Sequence, residues 1–153
     1  MQIVIKRPVT VALLLLVTAA IVAVTIISTG KSYGKVDPVP FEQIRHLAHR
    51  LEHRPVSTQI FAAVVMPAVA NVLLFVPWGF LMFIALHDVD RPTVQTYVLT
   101  ILLGFTFTVT VEAFQYFLPS RVADIDDIIW NTSGTIIGAF LGHARLRVRF
   151  EFE

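Results

Sequence analysis

Long apolar runs separated by short polar intervals dominate the chain. The first run, "VTVALLLLVTAAIVAVTIIST" at residues 9–29, is long enough to cross a bilayer, which takes about 20 apolar residues. It follows Lys6 and Arg7, as the apolar core of a signal peptide would. Such a core is only about 7–15 residues long, and a clear small-residue cleavage site is missing, so the run reads as an uncleaved first helix. The second run, residues 60–86, carries Pro67, Asn71 and Pro77 inside it. Interior proline frees backbone carbonyls and kinks a helix, which membranes tolerate when neighbouring helices satisfy those groups again. The third run covers residues 94–118 and the fourth residues 125–142. Asp126 and Asp127 stand in the first turn of the fourth, so its apolar part is short and it is expected to begin in a polar mouth.

This pattern predicts an all-α fold: a four-span transmembrane helical bundle, with residues 1–153 as one integral membrane domain. One long loop, residues 30–59, and two short ones join the spans, and short loops imply antiparallel neighbours. Within the long loop, "PFEQIRHLAHRLEHRP" places Phe41, Ile44, Ala48 and Leu51 on one narrow stripe of a helix, opposite a basic, acidic and His-rich face. Such an amphipathic helix either lies in the headgroup plane or packs on the rim of the bundle.

Composition agrees. The chain is 56% hydrophobic and 15% charged, against roughly 45–50% and about 25% in an ordinary soluble domain, which excludes that class. It has no cysteine, so disulfides, thiolate metal sites and cysteine nucleophiles are excluded. A net charge of +1 without a basic, aromatic-interleaved stripe gives no reason to expect a nucleic acid partner. Four spans put both termini on one side. With termini inside, Lys6, Arg7, Arg91, Arg145, Arg147 and Arg149 lie inside and Lys31, Lys35, Arg45, Arg50, Arg54 and Arg121 outside, a tie. The clusters beside the first and last helices favour cytoplasmic termini.

The polar residues of the third and fourth runs carry the chemistry. Glu112 lies six residues before Leu118 and Asn131 six after Ile125, so both are expected roughly 9 Å below one surface on neighbouring helices. Gln115 and Tyr116 share the Glu112 face, and Asp124, Asp127, Asn131 and Thr135 share a face of the fourth helix, with Asp126 pointing elsewhere. Asn71 approaches from the second span, and Arg121 stands in the turn beside Pro119 and Ser120. The spacing predicts one pocket, lined by Asn71, Glu112, Gln115, Arg121, Asp124, Asp127 and Asn131, near the outer surface. Ionisable residues inside a span are expensive and raise a functional hypothesis by default.

Three uses stay open. The residues can form a hydrogen-bonded network that fixes helix packing, with Asp124 as an N-cap. They can bind a polar headgroup, Arg121 taking an anion and the carboxylates an amine or hydroxyls. They can hold Mg²⁺ or Ca²⁺, which would make a hydrolase or transferase conceivable, although no nucleophile is evident. No metal or cofactor is expected, and a non-enzymatic role is favoured over an enzymatic one.

Other motifs point to structure. Gly134 and Gly138 give a small-xxx-small face for close helix contact. "PWGF" at residues 77–80 reads as a kink with Trp78 as a packing or interface residue. "HRLEH", His49 to His53, matches an inverted zinc-peptidase motif, but that motif belongs to large soluble enzymes with a further ligand downstream. Here it reads as a solvated face with a pH-dependent charge. No G-x-S-x-G, no phosphate-cradling glycine loop and no Ser/His/Asp order supports a serine hydrolase. Four spans without a clear internal repeat offer little machinery for a transporter.

The segments "NVLLFVPWGFLM" (residues 71–82) and "VEAFQYFLPSRVADIDDIIWNTSGTIIGAFLG" (residues 111–142) resemble the VanZ-like family of bacterial membrane proteins. That family's pattern runs N-x-x-L-F-x-P-x-G, then E-x-x-Q, then R-x-x-D-x-x-D-x-x-x-N-x-x-G. Asn71, Leu74, Phe75, Pro77 and Gly79, then Glu112 and Gln115, then Arg121, Asp124, Asp127, Asn131 and Gly134 fill every position. The resemblance covers three of the four runs and leaves out the first helix and the long loop. It implies a multi-pass protein of the bacterial cytoplasmic membrane. The family's namesake is associated with low-level resistance to the glycopeptide teicoplanin in Gram-positive bacteria. The partners it implies are membrane lipids, lipid-linked envelope precursors or a glycopeptide.

Overall fold

The computed structural model describes residues 7–27, 35–37, 39–53, 57–88, 90–118 and 122–147. Along these residues run α1 (Arg7–Ile27), β1 (Lys35–Asp37), α2 (Glu42–His53), α3 (Thr58–Leu86), α4 (Thr93–Tyr116), β2 (Val122–Asp124) and α5 (Ile125–Arg147). The fold is helical, as expected. It adds one element the apolar pattern does not announce, a two-stranded parallel pairing of β1 with β2.

Among the described residues three helices, α1, α3 and α4, are long and apolar enough to cross a membrane. Leu15, Leu16, Leu73 and Phe114 stand exposed on them, an outer surface suited to hydrocarbon. The fourth expected span, α5, does not join this set. Its opening turn holds Asp126 and Asp127, and Asn131, Thr132, Ser133 and Thr135 follow.

Lipid tails are as apolar as leucine, so close packing and hydrogen bonds, rather than burial from water, must hold such helices together. The α3–α5 pair is the most extensive contact. A Cβ at Gly134 would overlap the carbonyl oxygen of Val72, and one at Gly138 that of Val76. From the other side, a Cβ at Gly79 would overlap the Thr135 carbonyl. Both helices advance four residues per contact in the same direction, so they run parallel with their backbones touching. The antiparallel partner joined to α5 by a short connection is α4, where Gly104 meets Thr135 and Thr108 meets Asn131. The small-residue spacing thus outweighs chain connectivity in choosing the closest neighbours.

Helix α3 begins at Ser57, whose hydroxyl accepts from the Ile60 N–H at 3.4 Å, and continues through Pro67 and Pro77. Each proline deprives a carbonyl four residues earlier, Ala63 and Leu73, of its helical donor. One turn after Leu74, Trp78 enters a core of Ile21, Phe75 and Trp78, flanked by Leu14, Val17, Leu74, Met82 and Phe107. Its indole stacks on Phe107 with ring centres 5.5 Å apart. Its Nε1 donates to Thr18 Oγ1 at 3.1 Å, which fastens α3 to α1. Trp78 is therefore a packing residue.

At the end where α3 finishes, Tyr97 Oη and His143 Nδ1 lie 2.9 Å apart against Phe83, and Arg91 donates to the Leu86 carbonyl at 2.6 Å. At the other end lie α2 and the strands. The Phe41 carbonyl accepts from Arg45 N at 2.8 Å, starting α2. Phe41 has a φ of 59°, a left-handed conformation costing a non-glycine residue about 1–3 kcal/mol. Its N–H donates to Asp126 Oδ1 at 2.7 Å and its ring meets Trp130 edge-on at 5.7 Å, which offset that strain and pin α2 to the start of α5. On α2 the buried apolar residue is Leu47, which the expected stripe omitted. Of that stripe, Ile44 is half-buried, while Phe41, Ala48 and Leu51 are exposed.

Candidate functional site

Helix α4 delivers its polar residues by strict spacing. Thr96, Thr100, Gly104, Thr108 and Glu112 recur every four residues and all are buried, forming one face against α5 and α3. Glu112 sits one turn inside the helix end, 5% exposed. Its Oε2 accepts from the backbone N–H of Asp124 at 3.1 Å. That N–H belongs to β2, immediately before α5, so one side chain ties the end of α4 to the start of the next helix.

Asp124 caps that helix: its Oδ1 accepts from Asp126 N at 2.8 Å, the bond expected of an aspartate N-cap. Asp126 and Asp127 occupy the first turn of α5, where the unpaired N–H groups favour negative charge. This explains how three carboxylates gather in four residues. They then diverge. Asp126 turns to Phe41, while Asp127 Oδ1 accepts from Asn71 Nδ2 of α3 at 2.5 Å.

One layer deeper, Asn131 Nδ2 donates to Thr108 Oγ1 at 2.8 Å, with Asn131 only 3% exposed. Below it, Thr135 donates back to the Asn131 carbonyl at 3.1 Å. Asn131 Oδ1 is buried and has no hydrogen-bond partner among the described residues. A buried amide oxygen in that state costs about 1–3 kcal/mol unless a donor reaches it.

The structure thus brings six of the seven expected residues to one end of the bundle, in pairs rather than in one ring. Glu112 meets Asp124, Asn71 meets Asp127, and Asn131 meets Thr108 where spacing alone paired it with Glu112. Gln115, 4% exposed, turns to α1 and donates to the Thr25 carbonyl at 3.3 Å. Tyr116, expected on the same face, is 48% exposed. Arg121 lies outside the described residues. Among the described residues no group of three His, Asp or Glu is arranged to hold a metal. His49 and His53 both lie on α2.

Sequence reasoning missed Thr108 and Trp130. Thr108 had a signal, the period-four run of small polar residues ending at Glu112. Trp130 had none, because its partner Phe41 comes from a loop whose path no local pattern reveals.

A family model described as VanZ/LLP1 matches residues 10–146, nearly the whole described chain and all of the network. No curated protein and no solved structure matches the chain.

Proposed function

The chain belongs to the VanZ/LLP1 family, and from that premise we propose a membrane protein whose polar network engages the head of an envelope amphiphile. In this reading the protein is a multi-pass bacterial cytoplasmic membrane protein with both termini cytoplasmic. Helix α5 is its fourth span. Two features support that: α5 lies along α3 through Gly134, Gly138 and Gly142, and Ile137, Phe140 and Leu141 are left exposed for lipid. Asp127 accepts from Asn71 of α3, and the Asn131 amide nitrogen donates to Thr108 of α4.

The network then faces the outer leaflet, covered by α2 and the strand pair. Glu112 and Asp127 hold an amine, hydroxyls or a cation of the ligand, and Asn71, Gln115 and Asn131 orient it. Arg121 takes an anionic group. A lipid-linked precursor or a lipoglycopeptide has such a head, and glycopeptide (teicoplanin) resistance would follow from its capture. The observation that carries this reading is Asn131 Oδ1, a buried acceptor with no donor among the described residues, beside the carboxylate-bearing first turn of α5.

A second reading is purely structural. It is favoured by the pairing itself, since Asn71–Asp127 and Asn131–Thr108 cross-link three helices and Asp124 caps the third. One experiment separates the two. Glycopeptide susceptibility is measured in cells expressing the unmutated protein, Glu112→Gln or Asp127→Asn, with membrane abundance and melting matched. Protection by the unmutated protein alone supports a ligand-engaging network. Equal protection by the folded variants makes the carboxylates packing devices. No protection by the unmutated protein removes the resistance role.

A further inference from the structure

Beyond that network, and independent of it, a groove opens between α2 and the first turns of α3. It is lined by His46, Leu47 and Arg50 on one side and Ile60 and Val64 on the other, with a volume of about 390 Å³. We propose that this groove binds an anionic lipid, its phosphate at Arg50 and His46 and the upper part of its acyl chain along Ile60 and Val64.

The walls differ in kind. His46 and Arg50 stand at i and i+4 on α2, so both heads reach the same rim. Leu47 between them is 6% exposed and forms the floor. Ile60 and Val64, also i and i+4, give α3 an apolar wall, and Phe61 beside it is 46% exposed. A cationic rim over an apolar wall matches one class of molecule, an amphiphile with an anionic head.

Charge selects the sign of that head. Among the described residues Arg50 makes no hydrogen bond or ion pair. One carboxylate, Glu42, stands beside the rim with its Oε1 3.5 Å from His46 Nε2, so the fixed positive charge of the rim is that of Arg50. Among the described residues no acidic side chain lines the groove. The cavity at the opposite end of the bundle is the contrast: it is smaller, about 250 Å³, includes Asp88 in its lining, and its Arg91 already donates to the Leu86 carbonyl. An anion gains there far less than at Arg50.

Size selects how much is held. Sites that enclose a small molecule run about 300–1,000 Å³, so this groove accommodates a headgroup and the first methylenes, with the rest of the chain left in the bilayer. The groove is held open from one end, because Phe41 fixes the start of α2 to Asp126 and Trp130.

The test uses the full chain, purified in a mild nonionic detergent. Native mass spectrometry counts retained phosphatidylglycerol against phosphatidylcholine of the same chain length, with inorganic phosphate as competitor. Phosphatidylglycerol is expected to be retained about fivefold over phosphatidylcholine, the factor one exposed cationic side chain supplies near a charged head. Arg50→Gln, at an exposed helical position, abolishes that preference, and Val64→Trp, which fills the groove, lowers retention of both lipids. Millimolar inorganic phosphate leaves retention unchanged. Retention unaltered in both folded variants, or displacement of the lipid by phosphate alone, overturns the proposal.

Discussion

The backbone N–H of Asp124 donates to Glu112 Oε2 at 3.1 Å, so a carboxylate inside α4 is the acceptor that fixes where α5 begins. The same Asp124 then caps α5 through Asp126 N. Glu112→Gln keeps an oxygen at the acceptor position and is expected to leave stability within about 1 kcal/mol, whereas Glu112→Ala removes the acceptor of a part-buried N–H and costs about 1–3 kcal/mol. Thermal melting of the two variants in detergent checks this. Equal melting would mean the bond holds nothing.

Asn71 and Asp127 join α3 to α5 inside the bundle. Interhelical hydrogen bonds in membrane proteins couple by about 0.6 kcal/mol on average and about 1.7 at most. A double-mutant cycle with Asn71→Leu and Asp127→Leu, read by denaturant unfolding in mixed micelles, should give a coupling of that order. A coupling of zero would show that the pair contributes nothing to stability.

Thr108 and Asn131 permit a cleaner separation of folding from function. Thr108→Val alone strands the Asn131 amide and should destabilise by about 1–3 kcal/mol. Adding Asn131→Leu removes both polar partners and should recover most of that loss, since apolar replacement of a whole pair is nearly neutral. The double variant should fold yet lose any ligand-dependent protection. Protection retained in the folded double variant would exclude Asn131 from the site.

The glycines of α5 should differ sharply. A Cβ at Gly138 overlaps the Val76 carbonyl, whereas one at Gly142 meets Phe80 O at 3.1 Å as its nearest neighbour. Alanine improves helix propensity by about 1 kcal/mol at either position. Gly142→Ala is therefore expected to be neutral within about 1 kcal/mol. Gly138→Ala must push two backbones apart and should lose about 2–4 kcal/mol, read as a lowered melting temperature.

The helices were legible because each carries its own signal: apolar length for α1, α3 and α4, and an acidic first turn with a glycine ridge for α5. Glu112, Gln115, Asp124, Asp127 and Asn131 were legible as one end of the bundle because helical rise converts residue spacing into depth. Their partners were not. Which neighbour Asn131 bonds depends on the rotation of α4 about its axis, and the i+4 run from Thr96 to Glu112 encodes that rotation only when read as a buried polar stripe. The burial of Leu47 was hidden for a similar reason. Which stripe of α2 faces α3 is decided by Phe41, whose left-handed backbone, Asp126 bond and Trp130 contact all depend on residues about 85 positions away.

The strand pair has a consequence for biogenesis. Lys35 pairs with Val122 and Asp37 with Asp124, so the two segments must finish on the same face of the bilayer. The chain between them must therefore cross an even number of times, a requirement that α3 and α4, the two candidate spans between the strands, would meet. In chain order the first strand precedes its mate by α2 and both of those helices. Their meeting is thus a parity check on insertion: a chain that leaves one of the two helices uninserted strands β1 and β2 on opposite sides and cannot close.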